Sequence, residues 1–210
     1  MDESISEYKE ITDKLSPIVE VIPTVVDSYL AFSLAFAQMF RGDIPNYRLK
    51  DGTIGATRSN WTYHTAFAIA QTAKMFNMNC KFECHGKRDA VIETRENNPQ
   101  IALFAEWEWD YEDIFGKGKE LDKLKTSCKD SYTAEAFLLV YCPKQKYPDY
   151  LFRVTEFWAN AFKKSKYPPS LFLHTIIFED MKIYREFKQL ITVIIHPEYL
   201  RIISDISFEN

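Results

Sequence analysis

Ile101-Ala-Leu-Phe-Ala-Glu-Trp-Glu-Trp109 decides the reading of this chain, together with Arg88-Asp-Ala-Val-Ile-Glu93 before it. Successive side chains of an extended strand point to opposite faces. Ile101, Leu103, Ala105, Trp107 and Trp109 therefore share a wholly apolar face, while Ala102, Phe104, Glu106 and Glu108 share the other. The turn-rich stretch Glu96-Asn-Asn-Pro-Gln100 between the two segments predicts a hairpin. Asp89 opens the first strand and Glu106 nearly closes the second, so antiparallel pairing brings them to one end of the sheet. Carboxylate oxygens gathered in this way suit a hard cation such as magnesium. The plainer alternative leaves Glu106 and Glu108 on the wet face of an edge strand, with Trp107 and Trp109 in the core. Glu83 and Glu93 are expected to be exposed in either case.

Downstream, Lys117-Gly-Lys-Glu-Leu-Asp-Lys-Leu-Lys125 opens a short charged helix with Leu121 and Leu124 three apart, and Ala136-Phe-Leu-Leu-Val-Tyr-Cys142 is an apolar strand stopped by Pro143. With acids on a hairpin followed by a helix and a strand, residues 80 to 142 resemble the PD-(D/E)xK nuclease superfamily, the restriction-endonuclease-like fold. In that family an Asp opening the second core strand and a Glu on the third hold the metal, and a Lys two residues beyond the Glu completes the motif. The resemblance assigns these roles to Asp89, Glu106 and Glu108, with Glu108 in the place of the Lys, as in the Glu-x-Glu branch of type II restriction endonucleases. Arg88 stands where the motif name has Pro. Many members place a further Glu on an early helix. The predicted helix from Trp61 to Met78 has none and offers His64 and Gln71 instead.

The resemblance implies a single α/β domain with a central mixed sheet flanked by helices. It also implies a magnesium-dependent endonuclease acting on DNA, with manganese as a substitute ion and Asp89 and Glu106 as metal ligands. A Glu at position 108 can accept a proton from the attacking water, whereas a Lys would stabilise charge. The alternative function is a nuclease-fold protein that has lost catalysis and serves in binding or assembly. A homodimer is expected because cutting both strands needs two active sites.

Composition bounds these readings. A chain of 210 residues holds one substantial core, and 16 Phe with 12 Tyr argue against disorder. Six glycines and no GxGxxG or GxxxxGK[ST] pattern argue against a glycine-rich nucleotide loop. The formal charge of −4 neither supports nor excludes nucleic acid, since charge can be segregated over a surface. Cys80, Cys84, Cys128 and Cys142 are read as reduced, buried thiols of a cytoplasmic protein. Zinc at Cys80, Cys84 and His85 lacks a second ligand pair. The acidic start is the wrong charge for a secretory leader, and the uncharged run from Ser28 to Phe40 is too short to span a bilayer.

Elsewhere the sequence predicts a charged helix over residues 2–15 and a second from Ser16-Pro17 to Phe40, interrupted near Pro23. The apolar stretch Thr24 to Phe40 is a buried helix or a dimer interface. Residues 41–60 are expected as a long loop carrying Arg48, Lys50 and Arg58. Lys117 and Lys119, flanking Gly118 just after the acidic strand, are the expected phosphate contacts. Residues 143–210 should complete the domain with a helix from Pro148 to Lys164 and strands at Leu171–Phe178 and Leu190–Ile195. Lys163, Lys164 and Lys166 are read as complementing that helix's dipole.

Overall fold

Glu135-Ala-Phe-Leu-Leu-Val-Tyr-Cys-Pro143 forms the middle strand of the molecule, buried on both sides. Phe137, Leu139 and Tyr141 enter one apolar layer and Ala136, Leu138, Val140 and Cys142 the other. A strand covered on both faces reads as a continuous apolar run, as this one does. The computed structural model describes residues 26–43, 55–84, 88–131, 133–180 and 185–208. The helix expected over residues 2–15, the start of the second helix with Ser16-Pro17 and Pro23, His85, and residues 44–54 of the expected loop with Arg48 and Lys50 lie outside the described residues. The ends of that loop belong to a helix up to Asp43, a strand at Gly55–Ala56 and a helix from Arg58.

Four helices and eight strands are described, in the order α1 (Val26–Asp43), β1 (Gly55–Ala56), α2 (Arg58–Met75), β2 (Met78–Cys84), β3 (Arg88–Thr94), β4 (Ile101–Glu108), α3 (Glu120–Asp130), β5 (Glu135–Pro143), α4 (Tyr147–Phe162), β6 (Leu171–Asp180), β7 (Arg185–His196) and β8 (Tyr199–Ser207). A short 3-10 turn, Lys144–Lys146, leads into α4. From β2 to β7 the strands lie side by side in chain order, with β8 and the two-residue β1 both on β7. The hairpin units β2–β3–β4 and β6–β7–β8 are antiparallel. The pairs β4–β5 and β5–β6 are parallel, which requires a crossover after β4 and another after β5. Those crossovers are α3 and α4. Both pack on one face, through Leu121, Leu124 and Cys128 of α3 and Leu151, Val154 and Trp158 of α4. The other face is covered by α1, through Phe32, Phe36 and Phe40, and by α2, through Trp61, Ala68 and Ile69.

The expectation of one mixed α/β domain with helices on both faces holds. Helix α1 uses its apolar residues in the core: Phe36 meets Phe137 edge-on at 4.7 Å between ring centroids and His174 at 4.9 Å. No helix among the described residues is long and apolar enough to cross a membrane. The described cysteines are all free, with Cys128 and Cys142 buried as expected, whereas Cys80 and Cys84 lie on the edge strand β2 and are only partly buried.

Several boundaries differ from the sequence reading. Helix α2 begins at Arg58 and ends at Met75, because Asn77 takes a left-handed φ of 55° and turns the chain into β2. Glu93 is buried rather than exposed, and Lys81 neutralises it from the neighbouring strand at 2.5 Å. Strand β7 starts at Arg185, within a stretch of mixed character whose Phe187 is buried. Strand β8 has no counterpart in the expected elements. Its partner register steps from Thr192–Ser204 to Val193–Ile202, leaving Ile203 as an extra residue. Such a bulge interrupts the period-two pattern by which a strand is recognised.

Phe36 has no solvent exposure, so Phe36→Ala should cost about 3–5 kcal/mol in urea unfolding. Phe67→Ala, on the half-exposed face of α2, should cost under about 1 kcal/mol. Equal losses at both positions would contradict the packing of α1 on the sheet.

Candidate active site

The β3–β4 ladder pairs Val91 with Phe104 and Ala90 with Ala105. One step further along the same register stand Asp89 and Glu106, on the face covered by α3 and α4. Beyond Ala105 the backbone ladder stops, and the side chain of Asp89 takes over. Its Oδ2 accepts a hydrogen bond from the Trp107 amide at 2.8 Å, which anchors the half-buried carboxylate at the sheet's end.

Glu106 has no solvent exposure. It lies on β4, which has neighbours on both sides, so the edge-strand alternative does not describe it. An ionised carboxylate in such a place needs partners. Lys123 of α3 places its Nζ 3.3 Å from Glu106 Oε2 and 3.3 Å from Glu120 Oε1. Arg88 approaches Glu106 Oε1 to 3.8 Å and donates from Nε to Ser127 Oγ at 2.6 Å. Positions 120, 123 and 127 lie on one face of a helix, so a single face of α3 brings the Lys123 amine to Glu106, the Glu120 acid to that amine and the Ser127 hydroxyl to Arg88. Glu106 Oε1 and Glu120 Oε2 are nevertheless buried without a hydrogen-bond partner.

The electrostatics follow from this enclosure. Burial, then the nearby charge of Asp89, pushes Glu106 up to about 8, against the lowering influence of Lys123 and Arg88. Asp89 is pushed up to about 6 by burial, with the Trp107 hydrogen bond and Lys123 opposing. Burial alone would lower Lys123, but Glu106 and Glu120 together outweigh it and its pKa rises. Near neutral pH the cluster is thus poised between protonation states, as expected of groups that exchange protons or exchange protons for a cation.

The remaining expected residues go elsewhere. Glu108 ends β4 with its Oε1 3.3 Å from Arg58 of α2 and 2.6 Å from the Trp109 amide. It is engaged by the helix that covers the opposite face. Lys119 precedes α3 and pairs with Asp113 at 3.6 Å. Lys117 is exposed and contributes to holding Asp122 below the usual carboxylate range, behind the hydrogen bonds from Lys125 and the Gly118 amide. His64, on the early helix, is buried and bonds the Phe40 carbonyl at 2.8 Å, tying α2 to α1. Lys123, Glu120 and Ser127 were not singled out from sequence. Their signal was the spacing of polar residues on an otherwise apolar helix face.

Comparison of the chain with protein-family models, with curated proteins and with solved structures finds no match in any of the three. The site stands on its own geometry. As a metal site the donor set is all carboxylate oxygen, two atoms of which are orphaned in a buried position. Among the described residues no group of three or more His, Cys, Asp or Glu side chains is placed to hold a metal ion. Magnesium does not need one, because it commonly uses one or two carboxylates and takes its other ligands from water and phosphate. Asp89 and Glu106 fit that pattern.

A carboxyl raised on folding stabilises the native state fully below its unfolded pKa, and that contribution is lost as pH climbs through the folded value. For Glu106 the loss falls between 4.5 and about 8. With EDTA present, the melting temperature of the wild type should therefore drop between about pH 4.5 and about pH 8. Glu106→Gln should flatten that drop. Glu135, raised to about 7 by burial, acts equally in both proteins, so the difference between them reports Glu106 together with its coupling to Asp89. Parallel curves would show that Glu106 is not held in its neutral form.

Proposed function

We propose that this protein is a magnesium-dependent endonuclease hydrolysing DNA phosphodiester bonds at Asp89 and Glu106. The observation that carries the reading is the convergence of the two strand carboxylates with Lys123 in one buried cluster. The order of hairpin, helix and strand, with α3 crossing over the two acids on the way to β5, also supports kinship with the restriction-endonuclease-like fold.

Asp89 and Glu106 would hold the ion. When bound, magnesium supplies Lewis acidity to the phosphate and makes a bound water easier to deprotonate. The chain's own groups do the rest. Lys123 is a cation on a flexible stem and can turn from Glu106 and Glu120 toward negative charge growing on a scissile phosphate. It thereby supplies the amine that the Glu at position 108 withholds. Glu120, released from Lys123, is left as a buried carboxylate able to accept a proton from the attacking water. Ser127 fixes Arg88, and Arg88 keeps Glu106 from being stranded as an unpaired buried charge. Glu108 has no part in this chemistry while Arg58 holds it.

A second reading has one observation in its favour. Arg88 and Lys123 already counter the charge of Glu106 without any metal, as they would in a lapsed nuclease kept for binding or assembly.

Cleavage of mixed plasmid and linear DNA separates the two. The first reading expects cutting with magnesium or manganese that stops on chelation. Asp89→Ala and Glu106→Ala should abolish it, and Lys123→Met should lower the rate about a hundredfold, while Glu108→Gln leaves it near wild type. Manganese calorimetry adds a readout apart from turnover, because binding should vanish in Glu106→Ala and release protons into the buffer. No cutting and no manganese binding would establish the lapsed form.

A further inference from the structure

Away from the acid cluster, helices α3 and α4 leave a groove of about 580 Å³ between them, lined by Phe115, Lys125, Lys129, Arg153, Glu156 and Phe157 among others. A second hollow of about 300 Å³ continues it past the end of α4 to Lys164 and Tyr167, sharing Lys129 and Ala161 with the first. From Arg153 to Phe162 the helix rises about 14 Å, so the two hollows form one extended channel.

Charge and aromatic rings alternate along this channel. The Arg153 guanidinium lies 4.0 Å from the Phe115 ring centroid. The Lys125 and Lys129 ammonium groups lie 5.5 and 5.8 Å from the rings of Phe157 and the buried Phe162, and Lys166, just outside the lining, lies 5.1 Å from that of Tyr167. Arg153 and Lys125 also have acidic partners in Glu112 and Asp122. Among the described residues no carboxylate pairs with Lys129 or Lys164. The chain as a whole has 26 basic and 30 acidic residues, yet between Lys117 and Lys166 the basic residues lead eleven to six. The segment that builds the groove is therefore cationic on an acidic protein.

We propose that the groove between α3 and α4 binds single-stranded DNA, with its lysines on the phosphates and its phenyl rings against the bases. Phe115, Phe157 and Tyr167 are each covered by a cation on a flexible stem, which can leave the ring for a phosphate and open a stacking surface, whereas Phe162 is buried and only backs Lys129. Such pairing of cations with aromatic platforms suits unpaired bases, which have free faces, and not a duplex, whose bases are already stacked. The main part of the channel offers one neutral hydrogen-bonding side chain, Asn160, so it has little with which to read a ribose hydroxyl. The binding needs neither Asp89 nor metal and can be tested apart from hydrolysis.

The test is anisotropy of a fluorescein-labelled oligothymidylate with the full chain in EDTA, over a salt series. Wild type should bind it more tightly than a duplex of the same length, an oligouridylate or a polyglutamate peptide. The double variant Lys129→Gln/Lys164→Gln changes two exposed side chains and should keep the wild-type melting temperature. It should bind about tenfold more weakly, with the slope of log affinity against log salt reduced by about 1.4, the share of two phosphate contacts on a single strand. Asp89→Ala should bind as wild type. An unchanged affinity and salt slope in the double variant would overturn the proposal. So would tighter binding of the peptide, which would make the groove a protein-docking site, or of the oligouridylate, which would remove its assignment to DNA.

Discussion

A carboxylate with no access to water sits on an interior strand of this protein, and the surrounding structure is arranged to keep it there. An isolated buried charge costs several kcal/mol, and Glu106 avoids that cost by two routes. It draws cations from two directions, Arg88 from β3 and Lys123 from α3, and it is held toward its protonated form. Each route fixes something else. Lys123 reaches the strand because α3 crosses directly over the end of β4. Arg88 stays in position because Ser127, one helical turn further along α3, accepts its Nε hydrogen. The parallel pairing of β4 with β5 sends the chain over this face and so places α3 above the acids.

The sheet's central part was legible in the sequence because its pattern is unambiguous. Strand β5 is apolar throughout, β4 turns from apolar to acidic at one end, and the Asn-Asn-Pro turn before β4 leaves little choice of connection. The juxtaposition of Asp89 and Glu106 followed from antiparallel pairing alone, and the register puts them opposite each other. The burial of Glu106 did not follow, because alternation reports which face a residue occupies and not what covers that face.

What sequence reasoning missed has a common cause. Lys123 and Glu120 lie in a stretch so rich in charge that it resembles any solvated helix, and only the crossover geometry turns one side of it inward. Glu93 was misjudged for the same reason, since the Lys that neutralises it belongs to another strand. Glu108 was grouped with Glu106 on alternation, yet it stands at the strand's last residue, where the chain is free to turn toward Arg58. Strand β8 was hidden by its bulge. In each case the deciding partner is distant in sequence.

From β2 onward, every strand lies beside the one that precedes it in the chain. The sheet never has to reserve a gap for a strand that has not yet been made. Apart from the two-residue β1, which must wait for β7, each addition closes a loop no longer than one crossover, so the entropy lost at each step is modest and roughly constant. Such a sheet can grow from one edge to the other in the order of synthesis, and its acid centre is complete once β5 is in place. The strands that come later add a covered flank to a centre already assembled. Shortening the chain from its C-terminal side would therefore strip the sheet from its far edge inward and leave the cluster of Asp89, Glu106 and Lys123 until last.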